Sequence, residues 1–301
     1  MKFPWRKRKW AILIAAPAGD AGEVWGDTWF ARDLAAALCR QGQDAKVVTR
    51  SRGDVAARDN DDVVVVLRGL RRFVPRKAKT QWFLWVISHP DLLEPGEVAQ
   101  YEAVFAASDS WTHPEATVIP LLQATNPERF NPARAQPGTG ADVLFVGSTR
   151  SQYRQIIKDA IDAGVNVEIH GRGWESFVDP KYISSAYLSG DAVGVAYRSA
   201  NVVLNDHWED MAQNGFLSNR LFDAVAAGAS VVSDEALGLR EVFGDAVITY
   251  SRPDELAGAI DRARQKSDAA RIADAHRIAR EHSFDARAKV LIDVAKRGKR
   301  G

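Results

Sequence analysis

The sequence predicts an α/β protein of two consecutive domains, each a parallel sheet covered by helices. Three observations carry this. Short β-branched runs alternate with amphipathic helical stretches along most of the 301 residues. Glycines stand where the helical stretches stop. The alternation also breaks off and restarts around a Pro- and Gly-rich segment, which is what a linker between two such domains looks like.

The elements follow in order. Residues 11–16 are a short apolar run read as a buried first strand, and Gly19, Gly22 and Gly26 punctuate the turn after it. Residues 27–41 repeat Trp29, Phe30, Leu34, Ala37 and Leu38 at helical spacing until Gly42 stops them. Strands are expected at 45–49, 62–67, 81–88, 103–107 and 117–120, the second being β-branched enough for a sheet centre. Trp82, Phe83 and Trp85 belong to the core. The break, 123–140, holds Pro127, Pro132, Pro137, Gly138 and Gly140. Then come a strand at 142–146, a helix at 153–163, strands at 165–170 and 202–205, and a helix at 218–227. A strand at 229–233, a short helix at 238–243 and a last strand at 246–249 follow. Residues 253–266 and 269–296 are helical by pattern. The expected domains are 1–125 and 141–280, joined by a linker at 126–140, with a C-terminal helix at 281–301 that can pack back on the first domain.

Composition narrows the function classes. The chain is 46% hydrophobic and 26% charged, a globular balance, and its net charge of +1 gives no overall attraction for nucleic acid. One cysteine, Cys39, excludes an internal disulfide and cysteine-rich metal sites; its helical setting predicts a small buried hydrophobe. No apolar stretch is long enough to cross a bilayer, so a soluble cytoplasmic protein is expected. The ends are basic. Lys2, Arg6, Lys7, Arg8 and Lys9 stand among Phe3, Trp5 and Trp10, and Lys296, Arg297, Lys299 and Arg300 close the chain. Two readings of them stay open, solvated termini or a peripheral contact with anionic lipid. The glycine turn is not a G-x-G-x-x-G fingerprint, which argues against a nicotinamide dehydrogenase. No Asp-x-Asp pair follows a strand, so no metal and no cofactor are expected.

The helix expected at 218–227 can hold a diphosphate. Ser218 is a good N-cap, and a helix N-terminus offers free N–H donors and partial positive charge. Arg220 in its first turn can add a bidentate contact. Asp223 lies on the same face one turn deeper, where a carboxylate can take two ribose hydroxyls. The alternative is an ordinary capped helix with a solvated Arg220–Asp223 ion pair. Gly147-Ser148-Thr149-Arg150 follows a strand, and Arg154 comes four residues later, so both guanidinium groups are candidates for the phosphates. Gly171 and Gly173 permit close approach of a base; Trp174 either stacks on it or belongs to the core.

Several segments resemble retaining GT-B glycosyltransferases of the glycosyltransferase group 1 type. They are Val118-Ile119-Pro120 with Asn126-Pro127-Glu128-Arg129-Phe130-Asn131-Pro132, Leu144-Phe145-Val146-Gly147, and Gly238-Leu239-Arg240-Glu241-Val242. Tyr197–Asn205 and the stretch Gly215-Phe216-Leu217-Ser218-Asn219-Arg220-Leu221-Phe222-Asp223-Ala224 are most similar to the spore-maturation-protein-like branch. The resemblance implies two Rossmann-like domains with parallel sheets facing across a cleft. The C-terminal one then binds a nucleotide-sugar through Gly147, Arg150, Arg154, Gly171, Gly190, Asn214, Gly215, Phe216, Ser218, Asn219, Arg220 and Asp223. It implies that Leu188-Ser189-Gly190 reads the nucleobase by its backbone, and that the turn from Gly19 brings backbone to the donor phosphate. One departure stands out: the family's earlier Glu, with seven residues between it and the ribose carboxylate, falls here on Gly215, leaving Asn214 to serve the sugar hydroxyls.

The implied activity is transfer of a sugar from a nucleoside diphosphate donor to an acceptor hydroxyl, retaining and metal-independent. Catalytic candidates are His89, Asp27 and Asn214. An inverting reaction would need Asp20, Glu23, Asp27 or His89 as base. The acceptor, a glycan, a lipid-linked molecule or a small molecule, is not written in the sequence. Alternatives are a nucleotide-sugar epimerase or hydrolase of the same fold, or a degenerate protein that binds a sugar nucleotide without turnover.

Overall fold

The computed structural model describes residues 7–50, 61–76 and 79–298. It contains two parallel six-stranded sheets with helices, as the alternation predicts. Two compact units divide the chain. The first takes the described residues up to Leu122, Gln213–Phe216 and those from Phe284 onward; the second takes Gln123–Ala212 and Leu217–Ser283.

In chain order the first unit runs β1 (Lys9–Leu13), α1 (Asp20–Glu23), α2 (Gly26–Arg40), β2 (Asp44–Val48), β3 (Val63–Arg68), β4 (Gln81–Val86), β5 (Ala103–Ala106) and β6 (Val118–Pro120). The sheet order is β2-β1-β3-β4-β5-β6. β3 (VVVVLR) and β4 (QWFLWV) are buried at every position, because a parallel strand covered on both faces needs apolar side chains on both. Register pairs Val65 with Phe83 and Leu67 with Trp85. The second unit continues with β7 (Val143–Val146), α3 (Gln155–Asp162), β8 (Val167–His170), β9 (Ile183–Ser185), α4 (Gly190–Ser199), β10 (Val202–Asn205) and α5 (Glu209–Gln213). After these come α6 (Asn219–Ala226), β11 (Val231–Asp234), α7 (Leu239–Phe243), β12 (Val247–Tyr250), α8 (Leu256–Arg264) and α9 (Asp268–Glu281). Its order is β12-β11-β10-β7-β8-β9, so the direction of winding reverses between β7 and β10.

The last helix, α10 (Phe284–Arg297), packs on α2. Phe30 of α2 stands edge-on between Phe284 at 4.8 Å and Trp85 of β4 at 5.3 Å, and Arg40 is paired with Asp285 at 2.9 Å. The pattern at 269–296 reads as one helix, but the structure breaks it at His282 and Ser283. There the His282 carbonyl accepts from the Thr125 N–H at 2.9 Å. No Gly or Pro marks the break, so periodicity runs across it. β9 and α4 are two further elements that the pattern does not predict.

The expectation for Cys39 is corrected. Cys39 is exposed, its thiol 3.9 Å from the Ala45 carbonyl, because it falls at the solvent side of the last turn of α2. Of the basic lead, Met1–Arg6 lie outside the described residues, as do Lys299 and Arg300. Within them Trp10 is 1% exposed and Arg8 donates to Gln81 at 3.0 Å and to the Ala295 carbonyl at 2.8 Å, while Lys7 and Lys9 are exposed. No described helix is long and apolar enough to cross a membrane.

At the carboxyl end of β3 a charge is buried. Arg68 donates to Glu97 at 2.7 Å, their side chains 3% and 1% exposed, and to the Leu92 carbonyl at 2.5 Å. Glu97 also accepts from the Glu94 N–H at 3.0 Å. Removing one charge strands the other, so Glu97→Gln should lower the unfolding free energy by about 3–5 kcal/mol in a urea titration. A loss under about 1 kcal/mol would show the pair to be well solvated.

Candidate functional site

The site is built at the carboxyl end of the second sheet, where the strand order reverses. Right-handed crossovers that run in opposite directions place α3, after β7, and α6, after β10, on opposite faces. α3 accordingly packs with α8, and α6 with α4 and α9.

After β7 the chain forms a loop closely packed against the end of β8. Gly147 N donates to the His170 carbonyl at 2.8 Å and Thr149 N to the Arg172 carbonyl at 3.1 Å. Thr149 Oγ1 donates to the Gly173 carbonyl at 3.1 Å, and Trp174 Nε1 to the Gly147 carbonyl at 2.8 Å. The glycines are required by contact. A Cβ on Gly171 would stand 2.1 Å from the Gly147 carbonyl oxygen, and one on Gly147 would stand 2.6 Å from Arg220 Nη2. Arg150 and Ser151 take the left-handed region, at φ 51° and 64°, which a non-glycine residue adopts only when its surroundings impose it. Arg150 is exposed.

The amino end of α6 faces the same end of the sheet. Ser218 occupies the N-cap position but makes no side-chain cap bond, unlike the expected Ser cap. Asn219 Nδ2 donates to Asp223 Oδ2 at 2.7 Å, and Asn219 Oδ1 lies buried with no hydrogen-bond partner among the described residues. Arg220 turns inward. Its Nε donates to the Val146 carbonyl at 3.0 Å, its Nη1 to Asn205 Oδ1 at 2.9 Å, and its guanidinium lies 4.5 Å over the Phe145 ring. Burial pulls its pKa down, and the Arg154 charge adds to this, while Tyr197 and Asp206 oppose. Arg220 thus spends these donors on the sheet end, and Asp223 accepts from Asn219.

Arg154 is placed differently from the expectation that it joins Arg150 beside a phosphate. Its Nε donates to Asp206 Oδ2 at 2.7 Å, its Nη2 also meets Asp206 Oδ1, and the guanidinium lies 4.5 Å over the Trp208 ring. The two side chains are 9% and 6% exposed, so this charge is satisfied inside the protein. Trp174 is core: it is 0% exposed and edge-on to Phe145 at 5.6 Å. Phe216 is also core, 0% exposed and 5.7 Å from Trp111 in the first unit, so its side chain is removed from the donor set. Gly190 opens α4 behind Ser189, whose Oγ accepts from Ala192 N at 3.3 Å.

The remaining candidates belong to the first unit. Gly19 has φ 71° at the start of α1, and a Cβ on Gly22 would meet the Pro17 carbonyl oxygen at 2.0 Å. Asp27 lies half-buried in the first turn of α2, and Asp20 is exposed. Glu23 is paired with Arg32, whose hydrogen bond holds the carboxyl below its usual range. His89 follows β4 with φ 50° and precedes a short 3₁₀ turn. The Asn214 carbonyl accepts from Ser108 Oγ at 2.8 Å, and Gly215 has φ 71°. Sequence reasoning gave Asn205 no role, although a polar residue ending the run VVLN is the signal that finds it. Among the described residues no three His, Cys, Asp or Glu side chains converge to hold a metal ion.

The contact at Gly171 can be tested. Gly171→Ala forces the β8 end away from the Gly147 loop and should cost about 1–3 kcal/mol in denaturant unfolding, as other overpacking does. An unchanged midpoint would show that the two loops do not touch.

With this geometry in hand, comparison with known proteins is informative. Residues 150–293 match the family model described as glycosyl transferase-like. No curated protein matches the chain in sequence. Solved structures match nearly its whole length. Sucrose-phosphate synthase from Thermosynechococcus elongatus aligns with a TM-score of 0.68 at 14% identity over 97% of this chain and 99% of that one. AviGT4, a glycosyltransferase involved in avilamycin A biosynthesis, gives 0.66 at 17% identity over 96% and 97%. Anabaena HepE in complex with UDP-glucose gives 0.65 at 10% identity over 96% and 99%. At such identities the likeness carries the fold. The chain thus has the fold of GT-B glycosyltransferase structures, and its residues 150–293 match a family model described as glycosyl transferase-like.

Proposed function

We propose that the chain transfers a hexose-like sugar from a nucleoside diphosphate donor to an acceptor hydroxyl, with retention and without a metal ion. One observation carries the reading. A glycine-packed loop bearing exposed Arg150, with left-handed backbone at Arg150 and Ser151, stands at the sheet end that also receives the amino end of α6. N–H groups in the first turn of α6 and its dipole would meet the diphosphate, and Arg150 would add a bidentate contact. Both act on charge that develops on the leaving group, where fixed donors lower the barrier most. Asp223, steered by Asn219, would take the ribose hydroxyls. Arg154 has no part in this reading, since Asp206 holds it.

Retention rests on the resemblance to retaining enzymes; in such a reaction the departing phosphate can take the acceptor proton, so no protein base is required. If the reaction inverts instead, Asp20, Glu23, Asp27 or His89 would have to be the base; of these Glu23 is paired with Arg32. A UDP-sugar is the first donor to try, since HepE is described in complex with UDP-glucose and T4 phage BGT with UDP and Mn2+. The Ser218-Asn219-Arg220 stretch supports the spore-maturation-protein-like branch. A second reading, a protein that binds a sugar nucleotide without turnover, is favoured only by Gly215 standing where related enzymes carry Glu; a product assay separates the two.

Thermal unfolding with UDP-, GDP-, ADP- and TDP-sugars, in the presence of EDTA, tests the reading. One base class should raise the melting temperature by at least about 2 °C at saturating ligand. Arg150→Gly should weaken that nucleoside diphosphate by about 1.5–3 kcal/mol in calorimetry while leaving the fold as stable or more so, because the left-handed strain is relieved. No shift with any nucleotide, or unchanged affinity in the variant, would remove the donor site from this place.

A further inference from the structure

A run of hydrogen bonds leads from the amino end of α6 across the carboxyl end of the second sheet. Arg220 Nη1 donates to Asn205 Oδ1 at 2.9 Å, and Asn205 Nδ2 donates to Ser233 Oγ at 2.9 Å. Ser233 Oγ in turn donates to Asp234 Oδ1 at 2.9 Å. Asp234 also accepts from the His207 backbone N–H at 2.8 Å. Asn205 and Ser233 are both 0% exposed, so neither can exchange a lost partner for bulk water.

Every bond in this run points the same way, from a guanidinium to a carboxylate, and the direction has a chemical cause. A hydroxyl has one proton to give, and a primary amide has one donor side and one acceptor side. The Asp234 carboxylate only accepts, so it takes the Ser233 proton. The Ser233 oxygen is left to accept, and the NH2 side of Asn205 turns towards it. The oxygen side of Asn205 then meets Arg220, which can only donate. The opposite order would set the Asn205 NH2 against a guanidinium, donor against donor.

Arg220 is where this order reaches the site. Its Nε donates to the Val146 carbonyl at 3.0 Å, and its Nη2 stands 2.6 Å from where a Cβ on Gly147 would be. One side chain from the first turn of α6 thus lies against the loop after β7. Asp206 stands farther from Nη1, at 3.8 Å, and is taken by Arg154 at 2.7 Å. We propose that Ser233 is a positioning residue. By fixing which side of the Asn205 amide meets Arg220, it holds the amino end of α6 and the loop after β7 in the arrangement that grips a diphosphate. Its use rests on the donor reading; its geometry rests on the hydrogen bonds alone.

Two measurements on the full chain test this, with Ser233→Ala, Ser233→Thr, Asn205→Asp and the Ser233→Ala/Asn205→Asp double variant beside the wild type. The first is calorimetric affinity for UDP, GDP, ADP and TDP. Ser233→Ala should weaken whichever of these the wild type binds by about tenfold, the effect of one buried hydrogen bond. Ser233→Thr keeps the hydroxyl and should stay within about threefold of the wild type. Asn205→Asp presents an oxygen to Arg220 whichever side faces it, so in that background Ser233→Ala should change nothing, a non-additivity that a general loss of packing does not produce. The second is amide hydrogen exchange in the free protein. Ser233→Ala should speed exchange about fivefold at residues 147–149 and 219–222 and leave the first sheet as it was. A wild type that binds none of the four nucleotides removes the donor reading, and the exchange result then decides this proposal by itself. Where the wild type does bind, unchanged affinity in Ser233→Ala overturns the proposal and leaves the donor reading standing. An equal loss in Ser233→Thr, a full Ser233→Ala effect in the Asn205→Asp background, or exchange that rises alike throughout the chain overturns it too.

Discussion

Two guanidinium groups are buried where the strand order of the second sheet reverses, and the carboxyl end of β10 has to satisfy both. Arg154 enters from the α3 side and Arg220 from the α6 side. Asp206 takes the first at 2.7 Å, and Asn205, with the Val146 carbonyl, takes the second. A charge out of water is tolerable only with such partners, so the residues that follow the apolar part of β10 are constrained in identity and in position. Asn205 is itself fixed by Ser233 at 2.9 Å, which ties β11 to the same point. The amino end of α6 is thereby held in register with the end of β7, and whatever binds there meets a rigid surface.

Unusual backbone gathers at strand ends. Among the described residues the non-glycine residues with positive φ are His89, Arg150 and Ser151, and each follows the carboxyl end of a strand. Left-handed backbone costs on the order of 1–3 kcal/mol per residue and persists where surroundings over-determine it. At Arg150 those surroundings are the glycines of two neighbouring strand ends, packed so closely that side chains are excluded. In the proposed reading, an exposed arginine on this closely packed loop would be preorganised for the departing diphosphate.

Much of the fold was legible because its physics is local. A run such as VVVVLR has one sensible place, the middle of a covered parallel sheet, and VVLN reads as a strand ending in a polar residue. Elements without such a mark were missed. β9, Ile183–Ser185, is short and alternates in exposure, and the break between α9 and α10 has neither Gly nor Pro. Around the site, helical spacing told which side chains share a face but not what each faces. Arg154 looks like a phosphate ligand until Asp206, 52 residues away in sequence, is seen beside it. Trp174 and Phe216 look available until the aromatic neighbours that bury them are known. Cys39 shows the converse, since an apolar neighbourhood in sequence did not bury it.

The central claim is that the loop after β7 and the amino end of α6 together hold a nucleoside diphosphate. Amide hydrogen exchange, with and without the nucleotide that binds, tests it most directly. Slowed exchange at residues 147–151 and 218–222 is the predicted result. Protection confined to the start of α3 and the ends of β11 and β12, with those two segments unchanged, would contradict it.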